Sequence, residues 1–381
     1  MEKKAFTYAI VGGGMAGLQL AQALLDHKLL DSHKRLAIIE PLPKDKNDKT
    51  WCFWEKGDGN WDKLVSNRWE LTHFVSSQKS QQFKLQPYSY KKIDSLDFYQ
   101  ALIPKLKASE QIEWITAKVE QIKMAAPHVI ELSQGENITA KTVFDSRLTA
   151  DFQNSNHPWV LQHFKGWVIN CQQDQFNPSC FSMMDFSLPY QDQCCFTYVL
   201  PFSATKALVE FTFFSPELVE ENVYDQLIKA YLEKEGIKNY RIEETEKGVI
   251  PMSSYPFHKA NKKNYLKIGT AGGWVKASSG YSFKNTEKKV AQLIQNIKHQ
   301  KPLDFKLHSK RHQWYDDVFL NVLATENHLG NQLFVEMFEK NSIQKVLRFL
   351  DEESSFSEEI KLINRFTKAP FLRAVARKVF H

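Results

Sequence analysis

The stretch FTYAIVGGGMAGLQLAQALLDHK, residues 6–28, constrains the fold more than any other part of the chain. A short apolar run precedes glycines spaced as Gly12-x-Gly14-x-x-Gly17, and apolar residues then recur at helical intervals. This order predicts a buried strand, a glycine turn and a helix. Gly12 allows the tight turn, Gly14 lets a pyrophosphate approach the helix start, and Gly17 lets helix and strand pack closely.

A second strand and an acidic residue complete a nucleotide-binding pattern. Residues 36–39 are apolar, and Glu40 follows them near the expected spacing of about 20 residues after the last glycine. A carboxylate at this place accepts hydrogen bonds from a ribose diol and disfavours a 2′-phosphate. The alternative is an ordinary strand–turn–helix unit without a ligand. The residues expected to contact an adenine dinucleotide here are Gly12, Gly14, Met15, Ala16, Gly17 and Glu40.

A second glycine-rich turn favours FAD over a nicotinamide dinucleotide. The segment NYLKIGTAGGW, residues 264–274, predicts a strand that runs into a glycine turn. FAD is the longer cofactor, and its ribityl and isoalloxazine parts need a second region of contact. In GGWVKASSGYSF, residues 272–283, glycines stand among aromatics, as expected for a backbone that passes close to a flat ring. The contacts expected here are Gly269, Thr270, Ala271, Gly272, Ser279 and Gly280.

The organisation of the chain predicts an α/β fold with interleaved domains. Alternating aromatic-rich runs between residues 159 and 214 indicate an antiparallel sheet, and the pattern beyond residue 302 is helical. We expect a Rossmann-type FAD-binding domain interleaved with an antiparallel β-sheet substrate domain, followed by C-terminal helices. The FAD-binding domain is predicted at residues 1–70, 96–150 and 263–300, the substrate domain at 71–95 and 151–262, and the helical region at 301–381.

The amino-acid composition and net charge limit the classes of function that the chain can have. The chain has 27 Phe, 13 Tyr and 9 Trp, which favours either a Phe-rich core or a large apolar ligand. A net charge of +6 is too small to indicate nucleic-acid binding. Five cysteines without a CxxC pair, and no signal peptide, indicate reduced thiols in the cytoplasm and no metal site. No apolar run is long enough for a membrane span, so any membrane contact is expected to be peripheral, at the inner face of the cell membrane.

Several stretches, in this order and spacing, together resemble the bacterial flavin-dependent lycopene β-cyclases over nearly all of residues 5–300. They are YAIVGGGMAGLQLA, TWCFWE, VFDSR, QHFKGWVI, MMDF, FTYVLPFSATKALVEFTFFS, KGVIPM and IGTAGGWVKASSGYSF. The resemblance implies a p-hydroxybenzoate-hydroxylase type of fold. It also implies that the protein needs FAD in its reduced form and that NAD(P)H is the reductant. It further implies that ψ-end groups of lycopene, drawn from the bilayer, become β-ionone rings of γ-carotene and β-carotene without net redox change.

Glu210 is the expected catalytic acid of this reaction. Protonation of an isolated alkene requires a carboxylic acid that its apolar surroundings keep neutral. If KALVEFTFF is a strand, Leu208, Glu210 and Thr212 face one way. The family motif that Glu210 matches has a Thr two positions later and often a second acid directly after the first. That position is Phe211 here, so we expect a single carboxylate. A solvent-facing glutamate on an edge strand is the alternative.

Other residues carry two interpretations each. Asp185 in MMDF matches a family aspartate and is the second catalytic candidate, although it suits a turn cap as well. Arg147 in VFDSR is expected either to bind FAD or to pair with Asp145. Glu55 in TWCFWE is placed near the flavin, with its aromatic neighbours as cavity walls or core. Thr270 stands where many FAD enzymes have an aspartate.

The C-terminal segment FTKAPFLRAVARKVFH predicts a basic amphipathic helix. Phe366, Phe371, Leu372, Val375 and Val379 alternate with Lys368, Arg373, Arg377 and Lys378. Such a helix suits peripheral attachment to anionic lipid, and a terminal helix packed on the protein body is the alternative.

Three other functions remain compatible with the same fold. They are an FAD-dependent monooxygenase, an isoprenoid reductase, and a non-catalytic carotenoid- or lipid-binding flavoprotein. For a cyclase, closure of one or both ends of lycopene, formation of a β- or an ε-ring, and any oligomeric state are compatible with these residues.

Overall fold

The computed structural model describes residues 4–133, 135–148 and 157–380. Its strands are, in chain order, β1 (Ala5–Val11), β2 (Leu36–Ile39), β3 (Thr50–Lys56), β4 (Val65–Trp69), β5 (Leu71–Val75), β6 (Ser80–Lys84), β7 (Tyr88–Asp94), β8 (Ile112–Ile115), β9 (Val119–Lys123), β10 (His128–Leu132), β11 (Asn137–Asp145), β12 (Trp159–Cys171), β13 (Cys180–Asp185), β14 (Cys195–Pro201), β15 (Lys206–Ser215), β16 (Tyr240–Ser253) and β17 (Tyr265–Lys267). Its helices are α1 (Met15–Asp26), α2 (Ser95–Lys107), α3 (Glu221–Lys234), α4 (Phe283–Lys298), α5 (Lys310–Thr325), α6 (Gly330–Glu339), α7 (Ile343–Leu350), α8 (Phe356–Ile363) and α9 (Lys368–Phe380).

The first sheet has the strand order β8–β2–β1–β11–β10–β9, and β17 pairs with β11. Strands β8, β2, β1, β11 and β17 run parallel, while β10 and β9 are antiparallel. Helix α1 packs against α2 and α4, and the buried Leu20, Leu24 and Leu293 belong to the same core. The predicted strand, glycine turn, helix and second strand at the amino terminus are confirmed as β1, α1 and β2.

The second sheet carries many large buried apolar side chains, among them Phe181, Phe196 and Phe214. Its order is β16–β12–β15–β14–β13–β5–β6, and all neighbours are antiparallel except β5 and β13. One face of β15, with Val209, Phe211 and Phe213, packs against α3 in one core cluster. A separate three-stranded sheet has the order β3–β7–β4. The predicted α/β fold with a Rossmann-type unit, an antiparallel sheet and C-terminal helices is therefore confirmed.

Some boundaries differ from those expected from the sequence. The apolar pattern predicts helices at residues 218–234 and 285–298, whereas α3 begins at Glu221 and α4 begins at Phe283. The long strand β16 was not expected, because its first half is rich in charged residues. The predicted domain boundary at residues 150/151 lies outside the described residues, and the domain division stays a prediction.

The C-terminal helices pack over the second sheet on the face opposite α3. Buried Leu320 of α5, Phe334 of α6 and Val346 of α7 share a core cluster with Phe181 and Leu208 of the sheet. In the described part of the chain, none of the helices combines the length and the apolar character that a membrane crossing requires.

A buried ion cluster fixes the segment 272–283 to these helices. Lys276 lies 2.9 Å from an oxygen of Asp316 in α5 and 3.0 Å from one of Glu352, which follows α7. Lys276 and Asp316 are both buried. Because a buried charge is costly when unpaired, the two carboxylates and the ammonium group hold the segment in one position.

Replacing Lys276 by Met is expected to destabilise the fold by about 3–5 kcal/mol, because Asp316 is left as a buried charge with its main partner removed. The matched control is Lys288→Met. The Lys288 side chain is 36% exposed and pairs with Glu353 at 2.8 Å, so its loss should cost about 1 kcal/mol or less. Urea unfolding of both variants measures the difference. Equal losses of stability would contradict the role given to Lys276.

Candidate functional site

A cavity of about 900 Å³ connects the three parts of the fold. Its wall includes the glycine turn before α1 and residues of the strands β12, β15 and β16. Residues of the segment 269–282 and of the C-terminal helices complete it. Apolar and aromatic side chains make up most of the wall around the sheet, among them Met183, Phe196, Leu208, Phe214 and Phe334. The cavity is therefore a largely apolar space, and backbone lines the part of it at the first sheet.

The backbone-lined part is formed by the glycine turn at the start of α1. Gly14, Met15, Ala16 and Gly17 line the cavity, and no side chain of the described residues caps the helix at Gly14. Within the described part of the chain, a Cβ atom at Gly14 would meet no atom within 4 Å, whereas one at Gly17 would overlap the carbonyl oxygen of Gly12. Gly14 therefore leaves open space beside the free amides of the helix start, and Gly17 serves the packing of helix on strand.

The second glycine turn lies beside the first. A Cβ atom at Gly269 would lie 3.3 Å from Cβ of Ala16, and both Gly269 and Thr270 line the cavity. Ser279 and Gly280 also line it. The hydroxyl oxygen of Ser279 is buried and has no hydrogen-bond partner among the described residues. This part of the wall thus offers an unused polar group and close backbone to a bound molecule. Ala271 and Gly272 are not in the wall; both are buried behind it.

Glu40 supports the glycine turn rather than lining the cavity. Its carboxylate accepts the N–H of Gly13 at 2.7 Å and the N–H of Leu42 at 3.1 Å, and Lys44 lies 3.8 Å away. Gly12 is likewise outside the wall, and a Cβ atom there would overlap the hydroxyl of Ser146. Glu40 and Gly12, both predicted to contact the dinucleotide, therefore support the glycine turn from the side away from the cavity.

Arg147 is part of an ion cluster with Asp145, as in the second interpretation of VFDSR. Asp145 is fully buried and accepts hydrogen bonds from Nε of Arg147 at 3.0 Å, from Tyr265 at 2.8 Å and from Lys267 at 3.1 Å. The buried Asp145 pays a desolvation cost, but these donors nevertheless hold its pKa below the usual value. Arg147 does not line the cavity, whereas the neighbouring Ser146 does.

Glu210 lies in the cavity wall, on a central strand of the second sheet. Leu208, Glu210, Thr212 and Phe214 all line the cavity, which confirms the predicted face of β15. Glu210 is 7% exposed and accepts a hydrogen bond of 2.6 Å from the hydroxyl of Thr212. Burial, and then the nearby Glu246, raise the pKa of Glu210 well above its usual value. Because β15 is paired on both sides, the edge-strand alternative is wrong.

A second carboxyl group faces Glu210, contrary to the expectation of a single one. Gly166 of β12 pairs with Glu210 on one side and with Glu246 of β16 on the other. A Cβ atom at Gly166 would lie 3.3 Å from Cβ of Glu210 and 3.3 Å from Cγ of Glu246. The absence of a side chain at Gly166 therefore lets both acids lie over the same point. Sequence analysis missed Glu246, and KGVIPM directly after it was the available signal.

Asp185 lies on the other side of the sheet from the cavity. It is buried, accepts the N–H of Ser187 at 2.9 Å and the hydroxyl of Tyr231 in α3 at 3.3 Å, and is not part of the cavity wall. Burial, and then Asp185, raise the pKa of Tyr231. The turn-capping interpretation of Asp185 agrees with these contacts.

Aromatic residues of the predicted stretches divide between wall and core. Trp51 lines the cavity, while Phe53 and Trp54 are buried in the core clusters. Glu55 is held 2.9 Å from Lys91 and is not in the wall. Three cavity-lining tyrosines, Tyr90, Tyr198 and Tyr281, form a hydrogen-bonded group with O–O distances of 2.8 and 2.9 Å. The site thus combines a buried acid whose pKa is raised with aromatic faces, which can lie against a cation.

Known proteins match this arrangement at the level of fold. A geranylgeranyl bacteriochlorophyll reductase-like protein from Thermoplasma acidophilum has a TM-score of 0.58 at 12% identity, covering 99% of each chain. A tryptophan halogenase from Shewanella frigidimarina has a TM-score of 0.59 at 11% identity, covering 99% of this chain and 95% of the halogenase. A variant of halogenase PltM in complex with FAD has a TM-score of 0.55 at 12% identity, covering 91% of this chain and 79% of the halogenase.

Sequence comparison identifies the family. A curated lycopene beta-cyclase from Pseudescherichia vulneris is 25% identical over 253 residues, which span 64% of this chain and 61% of the length of that relative. The family model described as lycopene cyclase protein matches residues 8–376. The chain therefore belongs to the lycopene cyclase family.

Proposed function

We propose that the protein is a flavin-dependent lycopene β-cyclase, which converts the ψ-end groups of lycopene into β-ionone rings without net redox change. One observation carries this proposal: a buried carboxyl group with a raised pKa, Glu210, faces an apolar cavity that continues to the glycine turns. A hydrocarbon substrate suits the wall, and a neutral acid suits the first chemical step.

The residues at the glycine end fit FAD. The open space at Gly14 and the free amides at the start of α1 suit the pyrophosphate, and Met15 and Ala16 continue that surface. Gly269, Thr270, Ser279 and Gly280 offer backbone and an unpaired hydroxyl to the longer part of the cofactor. Reduced FAD, with NAD(P)H as the reductant, would supply negative charge close to a developing cation.

Glu210 would start the reaction by giving its proton to the terminal double bond of the ψ-end. A new C–H bond forms, and the neighbouring carbon becomes a tertiary cation that the next double bond attacks to close the ring. The ring cation then loses a proton to a carboxylate, so the product has the same elemental composition as the substrate. Asp185 lies behind the sheet, and we assign it a structural role.

The protonated form of Glu210 must be present at working pH. Burial raises its pKa, so the acid form persists to higher pH than in an exposed glutamate. Cyclisation is therefore expected to fall as the pH rises through the raised pKa of Glu210, and not as the pH falls through the ordinary range of a glutamate.

Replacing Glu210 by Gln removes the acid while keeping the shape of the side chain. We expect cyclisation of lycopene in vesicles with NAD(P)H to fall by about 10²–10⁴-fold, while bound flavin stays at the wild-type level. Chromatography and mass spectrometry of the carotenoids measure the product. Glu244→Gln, an exposed glutamate on β16, is the control and should leave the rate unchanged.

One result would contradict the role of Glu210, and two would contradict the cyclase assignment. A Glu210→Gln variant that cyclises normally would remove Glu210 as the acid. A wild-type product two hydrogens heavier than lycopene would indicate a reductase. Oxygen consumed in step with NAD(P)H and product would indicate a monooxygenase.

Replacing Gly14 by Ala tests the cofactor site separately. The methyl group meets no protein atom, so the stability of the cofactor-free protein should change by about 1 kcal/mol or less. FAD affinity should fall about tenfold or more, because the methyl group occupies the space given to the pyrophosphate. In contrast, Gly17→Ala should destabilise the fold by about 1–3 kcal/mol. Wild-type FAD affinity in Gly14→Ala would contradict the site.

Peripheral membrane contact would rest on apolar side chains at the cavity rim. Leu372 of α9 is 66% exposed and Trp314 of α5 is 47% exposed, and both line the cavity. Three of the four cations of α9 are in ion pairs: Arg373 and Arg377 share Glu326, and Lys378 pairs with Asp317, while the exposed Lys368 lies in the cavity wall. We therefore expect contact chiefly through the apolar rim, with a smaller contribution from anionic lipid.

Replacing Leu372 by Asp is expected to weaken binding to phosphatidylcholine vesicles about tenfold or more, because one inserted apolar side chain contributes about 1.5–3 kcal/mol. Leu42→Asp is the matched control, because Leu42 is 64% exposed and lies outside the cavity wall. Cosedimentation measures both variants. Equal binding of the two variants, or binding only to anionic vesicles, would contradict contact through the rim.

A further inference from the structure

The side chains of Glu246 and Glu210 approach each other over Gly166 of β12, where the backbone carries no side chain. Their strands do not touch each other, because β12 lies between β16 and β15. At the crossing point β12 has Gly166, and an added Cβ atom there would also lie 2.8 Å from Cδ1 of Leu208. Any other residue at this position would push the two acids apart. The register and the glycine together bring two carboxyl groups to one place in an apolar wall.

The two acids have hydroxyl partners but no cationic one. Thr212 donates to Glu210 at 2.6 Å, and Thr50 lies 3.5 Å from an oxygen of Glu246. Among the described residues, neither carboxyl group is in an ion pair with Lys, Arg or His within 4.0 Å. Two adjacent acids in such a setting cannot both be ionised at low cost, so one of them keeps its proton.

We propose that Glu246 is the positioning partner of the acid, and that Glu210 and Glu246 share one proton across Gly166. The proposal rests on the proposed function of Glu210. In the resting site, Glu210 carries the proton and Glu246 carries one negative charge. Proton transfer to the substrate leaves two carboxylates beside the cation, and loss of a proton from the ring returns the pair to its first state. No proton is consumed over the cycle.

The directions of the pKa shifts agree with this division. Burial raises the pKa of both groups; Glu246 raises that of Glu210 further, whereas the hydrogen bond with Glu210 lowers that of Glu246. Other titratable groups around the pair are Lys92 and Asp94 of β7, Cys52 of β3 and Tyr281. Lys92 lowers the pKa of Glu246, although Asp94 pairs with Lys92 at 2.6 Å. Glu210 therefore keeps the proton.

Replacing Glu246 by Gln tests the shared proton on the full-length flavoprotein. Removing the negative charge should lower the pKa of Glu210, so the pH at which cyclisation is half lost should fall by about one unit or more. A purely structural role would lower the rate at every pH and leave that midpoint unchanged. Glu244→Gln, with the same change two residues away on β16, should keep the wild-type midpoint.

An infrared titration gives a second readout that does not need activity. The band of the protonated carboxyl group of Glu210 is isolated by subtracting the spectrum of Glu210→Gln from that of wild type, and the spectrum of the double variant Glu210→Gln/Glu246→Gln from that of Glu246→Gln. In Glu246→Gln this band should disappear at lower pH than in wild type. Glu246→Asp keeps the negative charge but moves it away from Glu210, so the pH at which the band disappears should shift less than in Glu246→Gln. A band with the wild-type midpoint in Glu246→Gln would overturn the shared proton.

These results separate the two proposals. If Glu210→Gln still cyclises lycopene while the infrared band shifts in Glu246→Gln, the shared proton stands and the role of Glu210 in catalysis fails. If Glu210→Gln is inactive and Glu246→Gln titrates like wild type, the acid stands and the role of Glu246 fails.

Discussion

Glu210 places a carboxyl group, 7% exposed, in a wall of apolar and aromatic side chains, and such burial is costly unless the group is neutral or paired. The nearest polar partner is the hydroxyl of Thr212, and the nearest ionisable group is another acid, Glu246. Burial and Glu246 keep a proton on Glu210, whereas the hydrogen bond from Thr212 favours the charged form and offsets them only in part. The central position of β15 and the packing of α3 behind it exclude water from one side, and the C-terminal helices cover the other.

Two glycines leave room for other groups at the proposed cofactor site and at the pair of acids. Gly14 leaves space in front of the helix start, and Gly166 leaves space between two acids on non-adjacent strands. A methyl group at Gly14 would take up open space in front of the helix start, whereas one at Gly166 would overlap Leu208 and lie 3.3 Å from the side chains of both acids. The proposed cofactor site and the acid site thus depend on the same property, a backbone that carries no side chain where another group must lie.

The sequence predicts those parts of the fold and site that are governed by local pattern. Alternation in KALVEFTFF gives the correct face for Glu210, and the glycine spacing gives β1, α1 and β2. Glu246 could not be predicted in the same way, because the charged first half of β16 does not resemble a buried strand, and its contact with Glu210 depends on the register of three strands. Arg147 illustrates the same limit, since its neighbour Lys267 joins from more than 100 residues away.

The C-terminal helix shows why charge counted along a sequence differs from charge presented by a surface. Arg373, Arg377 and Lys378 are spaced like a lipid-binding face, yet Glu326 and Asp317 from the α5 region pair with them. What α9 presents at the rim of the cavity is then Leu372, beside the exposed Lys368 that also lines the cavity. A largely apolar rim that leads into an apolar cavity would suit the proposed hydrocarbon substrate, because few charged groups have to be desolvated on the way.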